Sequence, residues 1–566
     1  MNIHLPLTVI IWLSFMGFSL SPHNTNRLVL AQNSKPFILP VSTPPGPETW
    51  LLGQPYGNTI GAYLRGDDWY SAGQRLHFGL DFSMVCGTPL VAIGDGEVIF
   101  VDSLGFGSAP HNLLIRHDAG VVSLYGHLLD RAVVNVGDRV NAGDLVGYSG
   151  DPDLTCTSRP HLHLELRSLD YQTTYNPVDY INANWHMLAS IGGFRYPVFE
   201  QDLDNARQWM SLDAQPNVVF GGRALNLYVA PYPDYRNGQP LPNPPLEREL
   251  LPLDETVSIH LQQVAFTGCC TGAWWDPLTA THLYAIDGVP NQRANIFQWD
   301  LQQEMPTPNL VMQAPPSFAS ADGTHHIIPL NEQEFSILNT VDNIAYTVNT
   351  GGAFPSLSSD NSKILFLVTA EPSDLLNTSE TSIWIANIDG SNAHVIASVM
   401  GGSAQWLDAN RLLISSRGEQ STRLSVYDTS NGAAFTLGQW ERLRVLSIAP
   451  GGERLMFYLT AQTEQGTSGT YTIQTQDGAV AQHLPWFGAW EWRDANSVYY
   501  LPFEPSSIYH TIRVYDVITG EDRALTDPTT HPFLVANGDW SVSSDGRRIA
   551  FWNALDMTTW VFEFDS

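Results

Sequence analysis

The chain carries the stretch His161-Leu162-His163-Leu164, in which polar and apolar residues alternate. Such alternation is typical of a β-strand with one face in a hydrophobic core. On a strand both histidine rings would lie on one face and both leucines on the other. The stretch therefore predicts a sheet whose open face carries two imidazoles side by side.

Two segments upstream carry the same kinds of side chain, His77-Phe78-Gly79-Leu80-Asp81 and Leu124-Tyr125-Gly126-His127-Leu128. Gly79 lets the chain bend between His77 and Asp81, so that both side chains can reach one point. Imidazole nitrogen and carboxylate oxygen are ligands that zinc prefers, and a catalytic zinc site keeps its fourth position open. Four imidazoles and one carboxylate in three short segments therefore predict a zinc hydrolase.

The order His-x-x-x-Asp, Tyr-x-His-Leu and His-Leu-His resembles the signature of the M23 family, the LytM/lysostaphin-type zinc endopeptidases that cut peptidoglycan. The resemblance implies that His77, Asp81 and His163 bind one Zn²⁺ ion. It also implies that His127 and His161 are the catalytic histidines, and no further cofactor is expected.

The resemblance extends over an M23-like domain at residues 51–183, including the glycine-rich stretches 87–98 and 136–147. Two residues depart from the family pattern. Arg159 stands where a glycine is common, and Leu164 stands where an aromatic residue is common. Neither departure removes a ligand, so both bear on substrate fit.

Net charge excludes some partners. The 566 residues include 27 basic and 57 acidic side chains, which gives a net charge of −30. A chain of this charge is not expected to bind nucleic acid or an anionic membrane through its overall field. Its length is too great for a single core, so two or more domains are expected.

The N-terminus predicts export. An apolar run from Leu5 to Leu20 is shorter than a bilayer span, and Val29-Leu30-Ala31 offers small residues for cleavage. We predict a signal peptide at 1–31, a linker at 32–50, a secreted or extracytoplasmic location and no membrane span after cleavage. An uncleaved anchor and a buried helix are the alternatives.

Four cysteines fit an exported protein with one or two disulfides. Cys86 follows Asp81 and Cys156 precedes His161, so a Cys86–Cys156 bridge would tie the two ligand segments together. Two free buried thiols are the alternative. The adjacent Cys269 and Cys270 could pair with each other or stay reduced.

Short strands broken by glycines fill residues 51–183, whereas helical periodicity is nearly absent, which predicts an antiparallel β-domain. The loops Gly61–Arg75 and Tyr148–Pro160 lie next to the histidine segments and could wall a substrate groove. Residues 184–255 are predicted to form a proline-rich connector. Within it, Asp202–Leu212 could form a short helix and Val218–Val229 a hairpin that could belong to either neighbour.

A repeat of roughly 37–51 residues, the length of one four-stranded blade, fills residues 256–566. The rhythm resembles TolB-like and WD40-like propellers, so the fold class is predicted as all-β, an M23-like sheet followed by a six- or seven-bladed propeller. The first and last strands could close one blade between them, and a stack of antiparallel modules is the alternative. The repeats open at Trp275-Asp276-Pro277, Ala321-Asp322-Gly323, Ser359-Asp360-Asn361, Leu407-Asp408-Ala409, Pro450-Gly451-Gly452, Arg493-Asp494-Ala495 and Ser544-Asp545-Gly546.

The resemblance implies a secreted zinc metalloendopeptidase that hydrolyses peptidoglycan stems or cross-bridges. The propeller would bind wall glycans, a protein or neighbouring peptide. Trp406, Trp490 and Trp540 could bind sugars, although tryptophans beside blade turns more often form blade core. Two alternatives stay open. One is a cell-surface binding or scaffold protein whose propeller is the working part, and the other is a zinc protease that acts on proteins.

Overall fold

The computed structural model describes 35–59, 61–62, 74, 76–191, 211–222, 243–247, 259–264, 273–287, 295–303, 306, 309–313, 318–370, 379–418, 421–461, 466–536 and 539–564. Several predictions fall wholly or mostly outside these residues. They are the signal peptide, the loop Gly61–Arg75, the helix Asp202–Leu212, most of the proline-rich stretch and the pair Cys269-Cys270.

The first part of the chain forms an antiparallel sheet with the strand order β1-β2-β9-β6-β5-β4-β7. Strand β10 pairs with β9 and β11, and β3 pairs with β8 apart from the main sheet. The strands are β1 Trp50–Gln54, β2 Leu80–Met84, β3 Pro89–Val91, β4 Gly96–Val101, β5 Leu113–His117, β6 Val122–Gly126, β7 Arg139–Val140, β8 Leu145–Tyr148, β9 His161–Arg167, β10 Thr173–Tyr175 and β11 Val218–Val219.

Alternation along β9 sets the two faces of this sheet. Leu162, Leu164 and Leu166 are fully buried and pack against Phe82 of β2 and the rest of the core. The residues between these leucines face the other side, as period-2 geometry requires. The core therefore fixes which side chains β9 presents to the opposite face.

The sheet domain extends beyond its predicted limits at both ends. Phe37, Val41 and Trp50 lie in the core, although 32–50 was predicted as a linker. Phe37 also pairs with Ile181 in a parallel bridge. Downstream, β11 pairs with β10, so the start of the predicted hairpin belongs to this sheet.

Helices are short in the described residues. An α-helix, α1, spans Trp185–Ala189, Gly61 and Ala62 are also helical, and 3₁₀ turns span Leu104–Phe106, Pro177–Asp179 and Leu212–Ala214. Within the part that the structure describes, no helix has the length and apolarity to cross a membrane.

The bridge between Cys86 and Cys156 is present, with Cα atoms 5.8 Å apart. It confirms the predicted pairing and ties the segment after β2 to the loop before β9. Tyr125 is core, because its buried hydroxyl donates to the Val91 carbonyl at 3.0 Å.

His117 makes stability depend on pH. Its Nδ1–H faces the Gly94 carbonyl at 3.1 Å and its Nε2 faces the Ser123 hydroxyl at 2.7 Å. Burial lowers the pKa of His117 from 6.5 to about 4. The unfolded chain then binds more protons between these values, so stability is lost as pH falls through this window.

We expect acidification from pH 7.5 to 4.5 to remove about 2–3 kcal/mol of unfolding free energy through His117. In urea unfolding, His117→Gln should lose less stability over this range than the parent protein. His394→Gln, on an exposed strand end, is the control. An identical pH dependence in parent and His117→Gln would contradict the assignment.

The second part of the chain is a ring of seven four-stranded antiparallel sheets, within the described residues. This confirms the all-β propeller and settles its blade number at seven. Six blades are continuous: β13 Trp274–Trp275, β14 His282–Asp287, β15 Asn295–Asp300, β16 Asn309–Gln313; β17 Phe318–Ala319, β18 His325–Pro329, β19 Glu334–Asn339, β20 Ala345–Asn349; β21 Ser356–Leu357, β22 Lys363–Thr369, β23 Glu380–Asn387, β24 His394–Met400; β25 Ser403–Trp406, β26 Arg411–Arg417, β27 Ser421–Asp428, β28 Ala434–Glu441; β29 Leu443–Ile448, β30 Arg454–Leu459, β31 Gly469–Gln474, β32 Gln482–His483; β33 Gly488–Trp492, β34 Ser497–Pro502, β35 Arg513–Asp516, β36 Asp522–Ala524.

The seventh blade closes the ring. Strand β12 Ile259–Gln263 joins β37 Trp540–Val542, β38 Arg548–Asn553 and β39 Thr558–Phe564, in the order β12-β39-β38-β37. The first strand of the propeller thus pairs with its last, as predicted. Trp406, Trp490 and Trp540 are buried, so they are blade core and not a sugar platform.

The sheet domain and the propeller belong to one compact unit of the chain. The Glu48 carboxylate accepts hydrogen bonds from the backbone N–H and the hydroxyl of Ser468, both at 2.8 Å. The Arg417 guanidinium donates to the Ser158 carbonyl at 3.0 Å. These contacts join the propeller to the segment before β1 and to the loop before β9.

Candidate metal centre

Register places Asp81 directly beside His163. Strands β2 and β9 are antiparallel neighbours, and Asp81 is paired with His163 across them. On its other side His163 is paired with Gly126, at the end of β6. The sheet therefore brings all three sequence segments to one place, with His163 in the middle.

His77 reaches this place from outside the strand. Its backbone forms a bridge with Gly57 just before β2 begins. Its Nδ1 lies 2.7 Å from the Pro55 carbonyl, which can only accept, so Nδ1 carries the proton. The lone pair of a neutral His77 ring is therefore on Nε2.

Three ligand atoms converge. His77 Nε2 lies 3.1 Å from Asp81 Oδ1, and His163 Nδ1 lies 2.8 Å from the same oxygen. The two ring nitrogens are 3.2 Å apart. Ligands about 2.0–2.1 Å from a tetrahedral zinc ion are about 3.3 Å from one another, so the triangle has the size that zinc requires.

The protonation pattern also calls for a cation. His163 Nε2 lies 3.0 Å from a Glu165 carboxylate oxygen, so this nitrogen donates and Nδ1 holds the lone pair. Two nitrogen lone pairs and a carboxylate oxygen then face one another. A proton is the smallest cation that can meet this need, and a divalent ion meets it for all three atoms at once.

The pKa values of His163 and Asp81 are shifted in the same sense, towards a positive charge beside the ionised Asp81 carboxylate. Burial alone would lower the pKa of His163, but its hydrogen bonds to Asp81 and Glu165 raise it to about 9. Burial would raise the pKa of Asp81, but the charges of His77 and His161 and its hydrogen bonds hold it well below its usual value. The centre is thus built around an ionised carboxylate.

Two residues behind His163 were missed by the sequence analysis. Glu165 is buried, and Arg167 Nε donates to it at 2.6 Å. Burial would raise the pKa of Glu165, but Arg167 and His163 lower it to about 2. Glu165 lies two and Arg167 four positions beyond His163 on the same face of β9, so the period of the strand could have indicated them.

His127 and His161 face the same point with their other nitrogens. The Nδ1 of His127 is held by the Ala109 carbonyl, and the Nδ1 of His161 lies 2.6 Å from the Arg159 carbonyl. Each ring therefore turns its Nε2 lone pair away from the backbone. The centroids of the His127 and His161 rings are 4.8 Å apart, and His161 Nε2 is 3.7 Å from Asp81 Oδ1.

Backbone strain accompanies this placement. His127 has φ of 57°, in the left-handed region that non-glycine residues rarely adopt. Burial, with His161 and His163 close by, lowers the pKa of His127 to about 3, and burial lowers the pKa of His161. Both rings are therefore neutral at pH 7 and can accept a proton.

Gly79 is required by close approach. A Cβ atom at this position would lie 2.5 Å from the Leu164 carbonyl oxygen and 3.0 Å from the His163 ring. We expect Gly79→Ala to lower the unfolding free energy by about 1–3 kcal/mol and to weaken zinc binding about tenfold or more.

Zinc titration monitored by competition with a chromogenic chelator tests this expectation. Gly147→Ala is the matched control, because a Cβ there makes only ordinary contacts, the nearest at 3.6 Å. Unchanged zinc affinity in Gly79→Ala would show that this glycine does not shape the centre.

The five side chains line a cleft of about 1040 Å³. One wall includes Pro152, Arg159 and Pro160, so the predicted role of the loop before β9 as a groove wall agrees with its position. Propeller residues, including Arg444, also line the cleft. Ligand sites commonly measure about 300–1,000 Å³, so this cleft has room for a peptide of several residues.

Comparison with known proteins gives the class of the sheet domain. Residues 75–179 match the sequence model of peptidase family M23. This part of the chain is therefore an M23 peptidase domain, and it is followed by a seven-bladed propeller.

Individual relatives match the same part. Glycyl-glycine endopeptidase ALE-1 of Staphylococcus capitis is 31% identical over 137 residues, 24% of this chain and 36% of that protein. Lysostaphin of Staphylococcus simulans is 31% identical over 136 residues, 24% of this chain and 26% of that protein. Peptidoglycan DD-endopeptidase ShyA of Vibrio cholerae is 32% identical over 144 residues, 25% of this chain and 31% of that protein. The chain thus spans about a third of the length of the curated relatives that it matches.

Proposed function

We propose that this protein is an extracytoplasmic zinc endopeptidase that hydrolyses peptide bonds in the stems or cross-bridges of peptidoglycan. The observation that carries the proposal is the triangle of His77 Nε2, Asp81 Oδ1 and His163 Nδ1, with two further imidazoles beside it in one cleft. The relatives named for glycyl-glycine and peptidoglycan endopeptidase activity support the choice of substrate.

His77, Asp81 and His163 would hold one zinc ion. When bound, zinc polarises the carbonyl of the scissile bond and lowers the pKa of water towards ~7. Glu165 and Arg167 keep the His163 ring in the tautomer that offers Nδ1. The disulfide holds the segments that carry Asp81 and His161 in register with each other.

His127 and His161 would manage the protons. As neutral rings with Nε2 turned to the cleft, either can accept a proton from the attacking water. That proton can pass to the other ring, which as an imidazolium stabilises negative charge on the carbonyl oxygen and then delivers the same proton to the leaving amine. The two rings lie close enough to share these tasks across one peptide bond.

The propeller would position the peptidase on its substrate. It contributes side chains to the cleft wall and is joined to the sheet domain by hydrogen bonds at Glu48 and Ser158. The apolar N-terminal stretch and the disulfide, which is typical of oxidising compartments, support export. We therefore place the protein in the cell envelope or outside the cell.

Digestion of purified cell walls tests the proposal. The protein should release peptide fragments from walls, lose this activity with a chelator and regain it with zinc, while casein stays intact. Mass analysis of the fragments identifies the bond. Cleavage of casein but not of walls would favour a general protease, and wall binding without cleavage at full zinc loading would favour a scaffold protein.

A further inference from the structure

The propeller supplies a basic wall to the cleft. Arg442 and Arg444, at the start of the blade formed by β29 to β32, line the same cleft as Asp81 and His127. Neither residue belongs to the peptidase sheet, so the peptidase fold alone does not explain them. Because they line the same cleft as the metal centre, they are part of the surface that a bound peptide would touch.

Arg444 has no acidic partner in the described part of the chain. Arg442 donates to the Ala461 carbonyl at 2.6 Å, and Arg417 nearby donates to the Ser158 carbonyl. The Arg444 guanidinium makes no such bond to any residue that the structure describes, and its side chain stays accessible from the cleft. Surrounding protein and the charges of Arg417 and Arg442 lower its pKa.

Like charges held together in this way cost free energy unless an anion joins them. Arg417 and Arg442 have hydrogen bonds that explain their positions, because Arg417 bonds to the sheet domain at Ser158 and Arg442 bonds within its own blade to Ala461. Arg444 has none among the described residues, so its position is better explained by something that enters the cleft.

The backbone around Arg444 is also strained. Arg442 and Val445 have φ of 47°, and Ala461 has φ of 45°, all in the left-handed region. For a β-branched residue such as Val445 this is a marked outlier. The pairing of β29 with β30 also shifts between Arg444 and Ser447. Bulges re-aim side chains next to active sites, and strain persists where the surroundings enforce it.

We propose that Arg444, assisted by Arg442, forms a carboxylate-binding subsite that selects peptides with a free carboxylate near the scissile bond. The guanidinium fork matches the two oxygens of a carboxylate. This inference rests on the proposed peptidase function and deepens it, because it makes the propeller a determinant of specificity as well as a support.

The negative net charge of the chain explains why an anionic peptide would need a local cationic subsite. The chain carries a charge of −30, so its overall field repels an anionic peptide. A local cluster of guanidinium groups that lines the cleft offsets this repulsion where the peptide must bind. Neutral peptides such as polyglycine gain nothing from the cluster.

Two synthetic stem tetrapeptides test the proposal, one with a free D-glutamyl carboxylate and the other with that group as the carboxamide. We expect the protein to bind the carboxylate form about tenfold more tightly, and Arg444→Gln to abolish the difference. Arg444→Lys should keep part of it. Binding is measured by calorimetry on the zinc-loaded His161→Ala protein, so that turnover is not required.

Arg423→Gln is the matched control, because Arg423 is an exposed propeller arginine outside the cleft. Equal binding of the two peptides by the zinc-loaded His161→Ala protein with Arg444 intact would overturn the subsite, whether or not any Arg444 variant folds. A preference that survives Arg444→Gln would overturn the role of Arg444. If the parent protein does not digest walls but the His161→Ala protein still prefers the carboxylate peptide, the result would count against the peptidase function and leave the subsite standing.

Discussion

Replacing Asp81 by alanine is expected to remove zinc and wall hydrolysis together. The Asp81 carboxylate is the only anion in the ligand triangle, and it lies within 3.1 Å of both ligand nitrogens. Without it, two imidazoles 3.2 Å apart must hold a divalent ion with no charge compensation. Metal content should fall from about one zinc per chain to near zero, and activity by at least ~10⁴-fold.

Asp81→Asn separates charge from shape. The amide oxygen can still ligate, but the anionic charge is lost, so zinc affinity should fall to a value between those of the parent and Asp81→Ala. Asp118→Ala is the matched control, because Asp118 is an exposed carboxylate of the same sheet that pairs with Arg139. Full zinc content in Asp81→Ala would remove the ligand assignment.

The convergence of Asp81, His161 and His163 could be predicted from sequence because these residues lie on regular strands. The period of two places His161, His163, Glu165 and Arg167 on one face of β9, and hydrophobic burial of the leucines fixes which face it is. Gly79 marked the bend that brings His77 back to Asp81. Here local rules and tertiary structure agree, so short motifs carried the information.

The segment 35–50 could not be assigned from its composition. Proline, serine and threonine predict a linker, yet Phe37 and Trp50 are buried in the peptidase core. Burial of two large aromatic side chains outweighs the local preference for an extended, solvated chain. Which aromatic residues are buried depends on tertiary packing, and the local amino-acid composition carries no information about that packing.

The position of Arg442 and Arg444 in the cleft could not be predicted from the sequence, for a different reason. They lie far along the chain from the proposed metal ligands and line the cleft because the propeller contacts the sheet domain, for example at Glu48. Repeat patterns predict that blades exist and not which blade faces a neighbouring domain. The second wall of the cleft therefore emerges only from the assembled fold.

Replacing His127 or His161 by alanine should leave zinc in place and lower wall hydrolysis by about 10²–10⁴-fold. Neither ring belongs to the ligand triangle, and each offers Nε2 to the cleft from a carbonyl-anchored ring. Because the two rings would act in one proton-transfer sequence, the fold-loss of hydrolysis in the double variant should be far smaller than the product of the fold-losses in the two single variants.

Zinc content and kinetics on one defined wall peptide check this prediction together. The loss should appear in kcat, since the rings act on the reaction and not on retention of the ion. His111→Ala is the matched control, because that side chain pairs with Asp102 at 3.0 Å outside the ligand triangle. A fully active His161→Ala variant would assign proton transfer to His127 alone. Full activity of both single variants and of the double variant would contradict general acid–base catalysis by this pair.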